Sequence, residues 1–204
     1  MTASLAITGP TGAGKSRFCR LLAARGAAVI EADAVGHEVL DSPAVRAAVV
    51  AAFGAEILGP AGRIDRAVLG PRVFADAQAR ARLDALVHPA LAAACTRKLE
   101  AAARAGSPLV ILEAAVYFLL PGPPPVQLVI TVTAPEALRL ARLEDLGLAP
   151  EQARARIAAQ AHLEADWRRA DRIIENAGDE AELAAAADRL WRELVASDPP
   201  EAAP

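Results

Sequence analysis

Several features that would mark other classes of protein are missing from this chain of 204 residues. Only two of its 22 basic residues are lysines. With 25 acidic residues the net charge is −3, whereas nucleic-acid binding requires an excess of positive charge. Its two cysteines, Cys19 and Cys95, have no metal-ligand spacing around them, which argues against a zinc site or a disulfide scaffold. No apolar run approaches the ~18 residues of a membrane span, and the N-terminus has no signal-peptide pattern. We therefore expect a cytoplasmic protein with neither nucleic acid nor membrane as partner.

Aromatic residues are also scarce, at 3%, although 54% of the residues are hydrophobic. Much of the apolar content is alanine, which favours helices. Five short β-rich runs alternate with the helical stretches, at residues 4–8, 28–30, 109–112, 128–132 and 172–174. This alternation predicts an α/β domain with a mostly parallel sheet.

A long helical region, residues 34–105, separates the second run from the third. Turn signals interrupt it at Ser42-Pro43, Gly59-Pro60, Gly70-Pro71 and His88-Pro89. Because the region is too long for one crossover helix, we predict an inserted helical lobe made of several shorter helices. Residues from Asp198 onward have the composition of a frayed tail.

The most specific motif is Gly9-Pro10-Thr11-Gly12-Ala13-Gly14-Lys15-Ser16, which matches the phosphate-binding pattern G-x-x-x-x-G-K-[ST] between a predicted strand and a predicted helix. Its glycines let successive backbone N–H groups converge on an anion at the positive end of the helix. Lys15 then reaches the β and γ phosphates, and the Ser16 hydroxyl can ligate Mg²⁺. The alternative interpretation is a flexible glycine turn.

Other residues restrict the reaction. A GTPase needs an Asn-Lys-x-Asp motif, but the single asparagine, Asn176, is followed by alanine. A chain of 21.1 kDa without an arm or repeat is also an improbable motor. Asp33 follows the second predicted strand, where a carboxylate can accept a proton from an attacking hydroxyl or help to hold Mg²⁺ through water. Alternatively, Asp33 is the N-cap of a helix that begins at Ala34. These features favour a small-molecule kinase.

Taken together, these residues resemble a family. The loop and Ala32-Asp33 are followed, in order, by Phe53-Gly54, Gly62-Arg63-Ile64-Asp65-Arg66, Val73-Phe74, Leu86-Val87-His88-Pro89, Arg156-Ile157-Ala158-Ala159-Gln160 and Ala170-Asp171-x-Ile173-Ile174-x-Asn176. The series is similar to that of dephospho-coenzyme A kinases over residues 4 to about 190. The family transfers the γ-phosphoryl group of ATP to the ribose 3′-hydroxyl of dephospho-coenzyme A.

The resemblance implies a fold and a domain organisation. We expect one P-loop NTPase-like domain over residues 1–196, with a mostly parallel sheet flanked by helices. Its core would comprise about residues 1–33, 106–134 and 170–196, with a helical acceptor lobe at about 34–105 and a helical lid at about 135–169. Residues 197–204 would be a flexible tail, and the protein would be a monomer or a weak homo-oligomer.

The resemblance also implies residue roles. Asp33 would be the base, Lys15 and the lid residue Arg142 would stabilise the transferring phosphoryl group, and Ser16 would hold the Mg²⁺ that accompanies ATP. The acceptor would contact Asp33 together with Arg66, His88 and Glu113. The nucleotide would contact Gly12, Ala13, Gly14, Lys15, Ser16, Arg17 and Asn176, the last of them near the adenine. From the residues alone, His88 could instead start a helix before Pro89, and Asn176 could be a simple turn residue.

The chain departs from the family in three places. Glu113-Ala114-Ala115-Val116-Tyr117-Phe118-Leu119 lacks the proline and the final carboxylate of the family segment, Arg17 replaces the usual threonine, and a second lid arginine is missing about four residues after Arg142. Two other hypotheses therefore stay open: a P-loop kinase for another small alcohol, and a weakly active nucleotide-binding paralogue with a regulatory role.

Overall fold

The computed structural model describes residues 2–195, so the predicted tail at 197–204 lies outside the described residues. Five strands form one sheet: β1 (Ala3–Thr8), β2 (Ala28–Glu31), β3 (Leu109–Glu113), β4 (Leu128–Thr133) and β5 (Arg172–Glu175). Their order is β2-β3-β1-β4-β5, and β1 pairs in parallel with β3 and β4, as does β4 with β5. All five predicted strands are confirmed, each one residue or so longer than expected.

The helices within residues 2–195 are α1 (Lys15–Ala23), α2 (Ala32–Asp41), α3 (Pro43–Phe53), α4 (Arg66–Ala75), α5 (Ala77–Arg104), α6 (Glu136–Asp145), α7 (Pro150–Ala158), α8 (Glu164–Trp167) and α9 (Glu180–Val195). Short 3₁₀ segments occur at Ala55–Ile57, Tyr117–Leu119 and Ala161–Leu163. None of the described helices is both long enough and apolar enough to cross a membrane.

The main core lies between the sheet and the helices α1 and α9. Phe18 and Leu22 of α1 are fully buried against the strands, and Leu183 and Leu190 of α9 belong to the same apolar cluster. Burial of one such side chain contributes about 1.5–3 kcal/mol to stability. This packing fixes the position of α1 relative to the loop that precedes it.

The described chain divides into two compact units. The core unit comprises residues 2–30, 98–118 and 125–195 and contains the glycine loop, most of the sheet and helices α6 to α9. The helical unit comprises residues 31–97 and 119–124 and contains α2, α3, α4 and most of α5.

Two of the four predicted interruptions of the helical region are wrong. α2 ends and α3 begins around Ser42-Pro43, and Gly59-Pro60 lies between helices, but α4 continues through Pro71 and α5 through Pro89. A proline inside a helix removes one hydrogen bond and costs about 3 kcal/mol. Burial of apolar side chains on the same helices, among them Leu69 and Leu91, offsets that cost.

Candidate active site

The glycine loop connects β1 to α1 in the predicted arrangement. Gly12 and Gly14 both have positive φ, 75° and 96°, which side-chain-bearing residues rarely adopt. A Cβ atom on Gly12 would also lie 2.7 Å from the backbone oxygen of Arg139, and one on Gly14 would clash with the Asn176 amide. Both positions therefore require glycine for conformation and for close packing.

Lys15 and Ser16 open α1, the position from which a loop lysine and hydroxyl can reach phosphates. Lys15 Nζ donates to the backbone oxygen of Pro10 at 3.0 Å. Ser16 Oγ donates to Glu113 Oε1 at 2.6 Å. Glu113 is the last residue of β3, directly opposite Ile7 in the register with β1. The sheet thus places a carboxylate beside the loop hydroxyl.

A buried asparagine joins this loop to helix α6. Asn176 follows β5, is only 7% exposed, and donates from Nδ2 to the backbone oxygen of Ala13 at 2.8 Å. Its own backbone oxygen accepts from Arg142 Nη2 at 3.1 Å, and its N–H donates to Thr133 at 2.7 Å. Asn176 is therefore a structural bridge between the glycine loop, β4 and Arg142, which is more than a turn residue does.

The two arginines of α6 carry polar atoms that the described residues leave unsatisfied. Arg139 Nε and Arg142 Nη1 are both buried, and neither has a hydrogen-bond partner within residues 2–195. Arg139 also lies 3.8 Å from Glu136, through Nη2. Because a buried donor without a partner costs about 1–3 kcal/mol, such atoms favour the binding of an anion. Phosphate oxygens would supply the missing acceptors.

The segment after β3 is held by hydrogen bonds to its backbone. The oxygen of Ala115 accepts from the Thr8 hydroxyl and from Trp167 Nε1, each at 3.2 Å, and the oxygen of Trp167 accepts from the Thr131 hydroxyl at 2.7 Å. Thr8 and Thr131 are buried partners in the β1–β4 register. These bonds tie the ends of β1 and β4 to α8 and to the segment that follows Glu113.

Two aromatic residues complete that segment. Tyr117 is 5% exposed and packs edge-on against Phe118, with ring centroids 5.4 Å apart. Burial raises the pKa of the Tyr117 phenol above its usual value, and the charge of Asp171 adds to this effect. The Arg169 guanidinium lies 4.8 Å from the centre of the Phe118 ring, a cation–π distance.

Three of the predicted site residues belong to the helical unit. Asp33 is exposed and lies in the first turn of α2, two residues after β2 ends at Glu31. The N-cap position is Glu31, so the alternative interpretation of Asp33 as an N-cap before Ala34 is wrong. Arg66 is exposed at the start of α4, and Asp65 caps that helix by accepting from the Ala67 N–H at 2.9 Å.

His88 does not start a helix, because it lies in the middle of α5. Its side chain is 12% exposed, and Nε2 is 3.5 Å from Asp84 Oδ1 one turn earlier. The proposed N-terminal position before Pro89 is therefore wrong, for the packing reason given above. Its predicted contact with an acceptor stays a prediction.

Arg17 and Gln160 each contact a residue that is far away in the sequence. The Arg17 guanidinium forms an ion pair with Glu180, the first residue of α9, and its predicted nucleotide contact stays a prediction. Gln160 received no role from the sequence, yet its Oε1 accepts from the Thr11 N–H of the glycine loop at 2.7 Å. These partners are 149 residues apart, so no local pattern could have revealed the contact.

Comparison with known proteins agrees with this geometry. The family model described as dephospho-CoA kinase matches residues 3–182. A dephospho-CoA kinase from Thermobifida fusca is 42% identical over 191 residues, covering 92% of this chain and 94% of the relative. A solved structure of TT1252 from Thermus thermophilus matches with a TM-score of 0.74 at 30% identity, covering 95% of this chain and 98% of that one. A dephospho-CoA kinase from Campylobacter jejuni shares the fold, with a TM-score of 0.67 at 24% identity over 98% of this chain and all of that one. With a phosphate-binding loop, a neighbouring carboxylate and this extent of similarity, the chain belongs to the dephospho-CoA kinase family.

Proposed function

We propose that this protein transfers the γ-phosphoryl group of ATP to the ribose 3′-hydroxyl of dephospho-coenzyme A, which yields coenzyme A and ADP. The observation that carries the proposal is the glycine loop with Lys15 and Ser16 at the start of α1, linked through Asn176 to an arginine with an unsatisfied buried nitrogen. The phosphates of ATP fit this combination of converging N–H groups and positive charge. Family membership supports the choice of acceptor.

Kinases that use ATP work with a divalent cation, and the residues beside the loop fit Mg²⁺. The Ser16 hydroxyl and the Glu113 carboxylate are hard oxygen donors only 2.6 Å apart, and Mg²⁺ in such sites takes one or two protein oxygens together with phosphates and water. Bound by Ser16 and Glu113, the ion would neutralise charge on the phosphates. In this proposal Glu113 has a role in holding Mg²⁺, in place of or in addition to its predicted contact with the acceptor.

The chain's own residues would perform the remaining steps. Lys15 and Arg142 stabilise negative charge on the phosphoryl oxygens as it develops, and Asp33 accepts the proton of the attacking hydroxyl. The exposure of Asp33 in the first helical turn after β2 supports this role, because open α/β sheets bind ligands beyond the carboxyl ends of their strands. Arg66 and His88 would contact the acceptor. Asn176, near the adenine, would fix the positions of the loop and Arg142 relative to each other.

A coupled assay of ADP release tests this function and separates it from the two alternatives. We expect release with dephospho-coenzyme A and a far lower rate with adenosine or other small alcohols. Lys15→Ala should abolish transfer and leave the fold intact, because Lys15 adds nothing to the apolar core. A preference for a different alcohol would identify another kinase, whereas ATP binding without transfer to any acceptor would favour the regulatory paralogue.

A further inference from the structure

Gln160 forms a contact with the glycine loop to which the proposed mechanism gives no role. The residue lies two positions after the end of α7, and its Oε1 accepts from the Thr11 N–H at 2.7 Å. Both residues are half-buried. The contact uses an N–H group of the loop that would otherwise be available to an anion or to water.

The same peptide unit also holds Lys15. The N–H of Thr11 and the carbonyl of Pro10 belong to one planar group, and this carbonyl accepts from Lys15 Nζ at 3.0 Å and from the Ala13 N–H at 3.3 Å. Gln160 therefore holds one side of the peptide plane, and Lys15 is attached to the other. Rotation of this plane would move the acceptor on which the ammonium group of Lys15 rests.

Such a rotation changes ψ at Pro10 and φ at Thr11, and the turn hydrogen bond from the Ala13 N–H to the Pro10 carbonyl, at 3.3 Å, restrains it from within the loop. Gly9 and Gly12 lie one residue outside this unit on either side, with φ of 129° and 75°, and their conformational freedom allows the neighbouring backbone to follow a change at the peptide. The hydrogen bond from the Thr11 N–H to Gln160 Oε1 adds a shorter restraint on the opposite side of the plane, from outside the loop. Gln160 supplies that bond from the α6–α8 region of the core unit.

We propose that Gln160 is a positioning residue for phosphoryl transfer, which orients the Pro10–Thr11 peptide and, through its carbonyl, the ammonium group of Lys15. The inference rests on the proposed function, in which Lys15 stabilises the transferring group. It also implies that Thr11 N–H is not among the donors of the phosphate cradle, which begins at later residues of the loop. A displacement of about 1 Å at such a group can cost up to about 10²-fold in rate.

Two substitutions of similar size test the hydrogen bond itself. Gln160→Met keeps the length of the side chain but removes the acceptor, whereas Gln160→Glu keeps an acceptor oxygen. Gln78→Met, at an exposed position of α5, is the matched control. For each variant we would measure kcat, the KM of both substrates, thermal stability, and hydrogen exchange at the Thr11 amide by NMR.

We expect Gln160→Met to lower kcat by about 5- to 100-fold and to speed exchange at Thr11 by about tenfold, with the KM for dephospho-coenzyme A nearly unchanged. Gln160→Glu should restore protection of Thr11 and most of kcat, and Gln78→Met should match the wild type. Unchanged exchange at Thr11 in Gln160→Met would overturn the inference, as would equal losses in the Met and Glu variants with a common fall in stability. If the wild type failed to phosphorylate dephospho-coenzyme A, the proposed function would fail, whereas loss of Thr11 protection in Gln160→Met would still support the positioning contact.

Discussion

Replacement of Arg142 by methionine should separate catalysis from stability. In the structure, Arg142 Nη2 donates to the backbone oxygen of Asn176 at 3.1 Å, while Nη1 is buried without a partner among residues 2–195. Methionine keeps an apolar stem of similar length but removes the whole guanidinium group, Nη1 and Nη2 included. The substitution thus deletes one satisfied donor and one unsatisfied donor together.

The two effects on stability nearly cancel. Loss of a hydrogen bond from a charged group costs about 1.5–3 kcal/mol, and removal of a buried unsatisfied donor returns about 1–3 kcal/mol. We expect the free energy of unfolding to change by no more than about 2 kcal/mol, or a shift in Tm of at most about 8 °C. The stabilisation of transition-state charge by the Arg142 guanidinium is lost in full. We expect a decrease in kcat of at least ~10²-fold, which corresponds to about 2.7 kcal/mol of activation free energy.

The assay combines ADP release, ATP binding by calorimetry and thermal unfolding. Arg168→Met serves as the control, because the Arg168 side chain, directly after α8, is 71% exposed and forms a surface ion pair with Glu164. We expect Arg142→Met to bind ATP, to keep its fold and to lose kcat, and Arg168→Met to resemble the wild type. A kcat within threefold of the wild type, or a Tm lower by well over 8 °C, would refute this reasoning.

Four substitutions and one titration test the remaining expectations. Asp33→Asn should lower kcat by about 10²- to 10⁴-fold with little change in Tm, since the side chain is exposed; an effect on Tm alone would contradict the role of base. Glu113→Gln should raise the Mg²⁺ concentration for half-maximal ADP release by about tenfold or more, and an unchanged Mg²⁺ requirement would count against the metal site. Arg66→Ala and His88→Ala should raise KM for dephospho-coenzyme A more than KM for ATP, and equal increases would favour a structural role. Tyr117 is the single tyrosine, so phenolate absorbance reports it alone; its pKa should exceed about 10 in the folded protein and return to about 10 in urea. Folding then loses stability as the pH rises from that ordinary pKa through the raised one, and equal midpoints in both states would contradict the burial effect.

Local chemistry accounts for the features that could be predicted from the sequence. The five strands and the loop follow from short apolar runs, from glycines with the required φ values, and from Lys15 and Ser16 at the start of a helix. Each of these signals depends on neighbouring residues, so a single chain reveals them. Even so, Pro71 and Pro89 misled the prediction, because burial along α4 and α5 outweighs the local penalty of a proline.

The arrangement around the loop depends on contacts between residues far apart in the chain. Ser16 meets Glu113 across 97 residues, Ala13 meets Asn176 across 163, and Thr11 meets Gln160 across 149. Sequence patterns give no information about contacts over such separations. In the sequence, an isolated glutamine or asparagine looks the same whether its side chain lies on the surface or in a site. Glu113 and Asn176 reach the loop because the parallel sheet brings the ends of β1, β3, β4 and β5 to one edge, whereas Gln160, which follows α7, reaches it from outside the sheet.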